Sequence, residues 1–219
     1  MRPAICALVL ALAALVPAAA DAQAAADAAD PPPFSVRGFA LVSGEWFAAS
    51  KTFDAGFGQS FQPFWGGGIE LTQNDAWFLD VAVSRFRKTG QRAFIFNGQT
   101  FRLGIPMTVT MTPIEATIGY RFHPENLAWL VPYAGAGVGS YGYREVSTFA
   151  DPADNVDTRR VGYLVVGGAE FRLQRWVGVG VDAQYTRITG ILGRGGISEQ
   201  LGEDNLGGVA ARLKVIIGR

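Results

Sequence analysis

From Phe34 to the C-terminus, apolar and polar residues alternate with a period of two, and the apolar positions are rich in β-branched and aromatic side chains. No segment in that stretch sustains a helical period, so the chain reads as all-β. The alternation predicts eight strands, at about 34–50, 61–72, 76–88, 107–122, 128–145, 159–173, 175–188 and 205–218. Tight turns are expected at Gln73-Asn74-Asp75, at His123-Pro124-Glu125-Asn126 and around Gln174, and long connections at 51–60, 89–106, 146–158 and 189–204. Short and long links alternate strictly, the pattern of an antiparallel meander with one short-turn end and one long-loop end.

Parity sorts the charges. The third strand sets Trp77, Leu79, Val81 and Val83 against Phe78, Asp80, Ala82 and Ser84, and the seventh sets Val177, Val179, Val181, Ala183 and Tyr185 against Gly178, Gly180, Asp182 and Gln184. By the same division Arg37, Glu45, Glu70, Asp80, Glu115, Arg121, Glu170, Arg172, Asp182, Arg212 and Lys214 share one face of the sheet. In the fourth strand the apolar phase changes between Met107-Val109-Met111 and Ile114-Ala116-Ile118, which predicts a bulge near Thr112-Pro113.

Alternation alone does not say which face is inside, and three features decide it. The charged face carries nearly balanced acids and bases interleaved with glycine, as a narrow interior requires; the chain has 28 glycines and only three lysines, Lys51, Lys88 and Lys214. The apolar face ends in aromatics, with Trp46, Trp65, Tyr163 and Tyr185 toward one rim and Phe34, Trp77, Phe122 and Phe171 toward the other. At about 3.3 Å per residue and a tilt near 40°, Tyr163 to Phe171 spans roughly 20 Å and Phe34 to Trp46 roughly 30 Å, bracketing the expected apolar band of about 25 Å. The expectation is an eight-stranded antiparallel up-and-down transmembrane β-barrel in the outer membrane, with two aromatic girdles and a charged lumen.

The N-terminus fits export. Residues 1–24 read as a signal peptide, with Arg2 before the apolar run Ile5–Val16 and a small-x-small cleavage site at Ala22-Gln23-Ala24 or Ala20-Asp21-Ala22. Residues 25–33 read as an extended periplasmic tether and 34–219 as the barrel. Net charge is zero, so no basic surface is available for nucleic acid. One cysteine, Cys6, and one histidine, His123, cannot form a Cys/His zinc site, and no cofactor, metal or catalytic set is expected. The acidic loop Asp151, Asp154, Asn155 and Asp157 reads as a solvated cluster.

The run Val131-Pro132-Tyr133-Ala134-Gly135-Ala136-Gly137-Val138-Gly139 and the Gly119-Tyr120-Arg121-Phe122 ending of the fourth strand resemble the small eight-stranded outer-membrane β-barrel proteins, the OmpA/OmpX-like and opacity-type group of Gram-negative bacteria. The resemblance implies an integral outer-membrane protein with both termini in the periplasm. Within the loop 89–106, Phe94 and Phe96, then Asn97-Gly98, then Phe101 form a two-residue hairpin signal. This hairpin, over 92–103, either projects as a candidate surface for an extracellular partner or folds over the mouth as a lid. The residues favour a non-enzymatic barrel with a structural or cell-surface interaction role, whose one assured partner is outer-membrane lipid. A narrow barrel passing small or apolar solutes is the runner-up, and a lipid-modifying enzyme is third, because His123 falls in a turn at the short-turn end.

Overall fold

The computed structural model describes residues 33–96, 99–147, 155–193 and 196–218. The expected signal peptide, the tether up to residue 32, Asn97-Gly98, Asp151 and Asp154 lie outside the described residues. Eight strands follow in order: β1 (Phe34–Phe47), β2 (Phe61–Gln73), β3 (Trp77–Phe96), β4 (Gln99–Arg121), β5 (Leu130–Val146), β6 (Val156–Gln174), β7 (Val177–Arg187) and β8 (Gly208–Gly218). Each pairs antiparallel with its sequence neighbour, and β8 returns to pair with β1 from Arg37↔Gly218 to Phe47↔Gly208, which closes the barrel. Closure leaves no free sheet edge within the barrel wall.

The turn between β2 and β3 shows why these residues sit where they do. Asn74 and Asp75 both have positive φ, 52° and 53°, and the Ala76 N–H donates to the Gln73 carbonyl at 3.0 Å. Asn and Asp are among the few residues that adopt this backbone, which matches the twist of the strands it joins.

At the other end, two connections expected to be irregular contain helices, α1 (Ser50–Phe57) and α2 (Gly196–Gln200). Both are too short to leave a helical period in the sequence. α1 ends at Gly58, whose left-handed backbone (φ 78°) lets its N–H reach the Asp54 carbonyl at 2.9 Å.

β3 and β4 run far past their expected ends and stay paired to Phe96↔Gln99. The bulge expected near Thr112-Pro113 is absent: Val83↔Ile114 and Phe86↔Met111 share one register, and β5 runs opposite Thr108 to Arg121 without a break. Met107, Val109 and Met111 face inward together with Pro113, Glu115, Thr117 and Arg121. The interior changes from polar to apolar along this strand, while the backbone keeps its phase. The actual irregularity lies higher, where Gln91 opposes Pro106 and Ala93 opposes Arg102, and Gly104 takes up the excess with φ 70°.

Candidate functional site

The barrel's interior is the candidate site, and it is filled in three tiers. At the short-turn end, Arg37 on β1 and Arg121 at the end of β4 hold Glu70 of β2 and Glu170 of β6 between them. Arg37 Nη1 and Nη2 donate to the two Glu170 oxygens at 2.8 and 2.9 Å, and its Nε donates to Glu70 Oε1 at 2.9 Å. Arg121 Nη1 reaches Glu70 Oε1 at 3.0 Å and Nη2 reaches Glu170 Oε2 at 2.8 Å. Below this square, Asp75 of the β2–β3 turn takes Arg172 on one oxygen and lies 3.4 Å from Arg121 Nε; His123 Nε2 is 3.0 Å from the Asp75 oxygen that Arg172 also contacts. Partial burial works to raise the Asp75 pKa, but Arg172, Arg121 and His123 outweigh it and hold the carboxyl below its ordinary value.

The middle tier crosses the lumen. Lys214 Nζ on β8 donates to Asp80 Oδ2 on β3 at 2.9 Å and lies over the rings of Phe39 and Tyr133, 5.0 and 5.5 Å from their centroids. Arg212 Nε donates to Asp182 Oδ1 at 2.5 Å, and the Tyr133 hydroxyl donates to Asp182 Oδ2 at 2.5 Å. Glu115 accepts from the Tyr141 hydroxyl at 2.8 Å and from Gln184 Nε2 at 3.0 Å. Glycines in the wall make room for the inward rings: a Cβ at Gly119 would stand 2.4 Å from the Phe78 ring and from the Ala134 carbonyl. Above Glu115 a cavity of about 20 Å³, lined in part by Ser43, Glu45, Gln184 and Arg212, has room for about one water molecule.

The third tier is an apolar plug at the loop end, built from Phe47, Phe64, Phe86, Met107, Val109, Met111, Tyr143, Ile188, Leu192 and Leu206. Phe53 of α1 stacks on Phe47 with ring centroids 3.9 Å apart, so α1 lies over the mouth. Two side chains, one from the β7–β8 connection and one from β4, clamp it. Glu203 accepts from the Thr52 N–H at 2.8 Å, the Lys51 N–H at 3.1 Å and the Thr52 hydroxyl at 2.7 Å, while Arg102 donates to the Ala55 and Asp54 carbonyls at 3.1 Å each. A carboxylate thus meets the helix's positive end and a guanidinium its negative end. A recess of about 480 Å³ beside α1 has Phe53, Met107, Tyr143 and Leu192 of the plug in its wall.

Of the eleven residues placed in the lumen by parity, Arg37, Glu70, Asp80, Glu115, Arg121, Glu170, Asp182, Arg212 and Lys214 are buried within the barrel. Glu45 is half-buried against the small cavity, and Arg172 is partly exposed at the turn-end mouth, where it serves Asp75 and makes no contact with Asp182. Parity missed Asp75 and His123 because they sit in turns. Tyr133 and Tyr141 carry the inward parity of β5, which was the available signal. Phe34, Trp46, Trp65, Trp77, Phe122, Tyr163 and Tyr185 are exposed on the outer wall, and Phe171 stacks there on Trp129 at 5.9 Å. Trp129 and Trp176, also in turns, add to the turn-end girdle. In the hairpin, Phe94 and Phe101 stack at 5.4 Å, and both, with Phe96, are exposed. The lid role falls to α1.

The family model described as "Outer membrane protein beta-barrel domain" matches residues 6–210. The chain belongs to this family. It is therefore an outer-membrane barrel; barrels of that membrane turn their short connections to the periplasm and their long loops to the exterior. Among solved structures, the outer membrane protein OprG from Pseudomonas aeruginosa is 13% identical over 85% of this chain and 95% of its own, with a TM-score of 0.50. Neisserial surface protein A is 14% identical over 85% and 96%, with a TM-score of 0.49. The likeness to OprG is one of fold. No curated protein matches the sequence.

Proposed function

We propose that this outer-membrane barrel is a non-enzymatic structural protein of the cell surface, closed to solutes, that presents its β3–β4 hairpin for contact outside the membrane. The carrying observation is the filled lumen: two tiers of paired charges, then an apolar plug under a clamped helix. A water-filled path would need the Arg37–Glu170 and Lys214–Asp80 pairs to separate inside a wall only eight strands around. The hairpin favours the surface role, since its exposed aromatics stand beyond the span that any other strand reaches. The one histidine sits at the periplasmic mouth as a partner of Asp75, away from the outer rim where a His-dependent lipid enzyme would need it.

Planar-bilayer recording tests this reading. The folded protein is expected to give no stable single-channel steps, and large, long-lived steps would favour passage of small solutes instead.

A further inference from the structure

The lumen pairs its cations, but a second set of arginines faces the other way. Arg85 and Arg87 on β3, Arg144 on β5, Arg159 on β6 and Arg187 on β7 are all exposed on the outer wall. They gather at one height. Arg87 lies beside Thr110, Thr110 beside Arg144, and Arg144 beside Asp157, one row across four strands. In the row beneath, Arg159 opposes Gly142, which opposes Thr112. Arg85 is paired with Trp65 and Arg187 with Tyr163, so the cluster stands level with the loop-end aromatic girdle.

Among the described residues, the side chains of Arg85, Arg87 and Arg187 have neither a hydrogen-bond nor an ion-pair partner. The Arg159 guanidinium donates to the Ser140 hydroxyl at 3.2 Å, and Arg144 meets Asp157 at 3.8 Å with both side chains largely exposed. The periplasmic rim of the outer wall is different, with Phe34, Trp77, Tyr120, Phe122, Trp129 and Trp176 there.

We propose that the outer wall of β3–β6 at the loop end binds phosphorylated lipid headgroups of the surrounding leaflet, with Arg85, Arg87, Arg144 and Arg159 holding the phosphates. Adjacent strands lie about 4.8 Å apart, so Arg87 and Arg144 flank Thr110 at roughly 10 Å between backbones and their side chains can close on one phosphate. A guanidinium offers paired donors that fit phosphate oxygens, and its weak hydration suits it to the membrane interface. The ligand is a lipid and not a free anion because of what lies directly below. Val83, Ile114, Val138 and Val161 are exposed and apolar, and they contact acyl chains belonging to the same molecule whose headgroup the arginines hold.

The test refolds the protein in phosphatidylcholine micelles doped with a bis-phosphorylated glucosamine lipid and counts retained lipid by native mass spectrometry. Unaltered protein is expected to retain the phosphorylated lipid about tenfold over its dephosphorylated counterpart. Combining Arg85→Gln, Arg87→Gln, Arg144→Gln and Arg159→Gln removes that preference, while Arg175→Gln in a periplasmic turn preserves it. Inorganic phosphate is expected not to displace the lipid. Equal retention of the two lipids by unaltered protein, an undiminished preference in the combined variant, or displacement by inorganic phosphate would each overturn the proposal. The first comparison needs no variant, so it stands even if the combined variant fails to fold.

Discussion

Arg121 is 1% exposed and touches Glu70 and Glu170, which approach it from β2 and β6. Removing it leaves two carboxylates facing each other with Arg37 as their remaining shared cation. Arg121→Gln is therefore expected to cost roughly 3–5 kcal/mol in folding titrations into lipid vesicles, and Glu70→Gln in the same chain to recover part of the loss. Asp75 works outside the membrane span and on a smaller scale. Its folded pKa is depressed by Arg172, Arg121 and His123, so its contribution is complete above the unfolded value of about 3.9 and is lost as pH falls through the lower folded value. Asp75→Asn should lower stability by about 0.5–1 kcal/mol near neutrality, a modest figure because solvent reaches the cluster. The difference from the parent should begin to shrink below about pH 4 and disappear only below the depressed folded value, as read by urea midpoints taken from about pH 7 down to about pH 2. These two residues also mark what the sequence could disclose. Arg121 lies on a strand, and alternation assigns it a face; Asp75 lies in a turn, where a carboxylate's direction depends on a left-handed backbone that no period reveals.

α1 behaves as a brace across the mouth, since Glu203 comes from the β7–β8 connection and Arg102 from the base of the β3–β4 hairpin. Replacing both by glutamine is expected to speed amide hydrogen exchange over residues 50–57 while leaving exchange in the β1–β8 seam unchanged, each contact being worth about 0.5–1 kcal/mol. Unchanged exchange in 50–57 would mean that Phe53 on Phe47 holds the helix unaided. Sequence reading placed strands well where the lumen is polar and the outer wall apolar. It failed on upper β4, where Met107, Val109 and Met111 face in and Thr108, Thr110 and Thr112 face out, so the polarity of the two faces is reversed and imitates a slip in phase. The plug that causes this reversal is assembled from five strands and two loops, and no single segment announces it.

For the molecule as a whole, the decisive quantity is which wall meets lipid. Val181 is exposed midway along β7, between Ala169 and Leu213, whereas Val179 sits lower, beside Phe171 of the girdle. Val181→Arg is expected to cost about 2–4 kcal/mol in vesicle folding titrations, and a neutral result would contradict the lipid-facing assignment. Unboiled protein should also migrate apart from boiled protein on SDS gels, because a closed sheet resists detergent. The last strand carries a further consequence. Arg212 and Lys214 are the only charged residues of β8, and they serve Asp182 on β7, Asp80 on β3 and, at 3.8 Å, Glu115 on β4. An open seven-strand sheet therefore holds three inward acids still waiting for these cations: pairing of β8 with β7 supplies Asp182, and closure of the ring against β1 brings Asp80 and Glu115 within reach across the lumen. Completion of the ring and the last of the charge balance arrive together, so a half-zipped intermediate is penalised twice and the chain has no comfortable stopping point short of a ring.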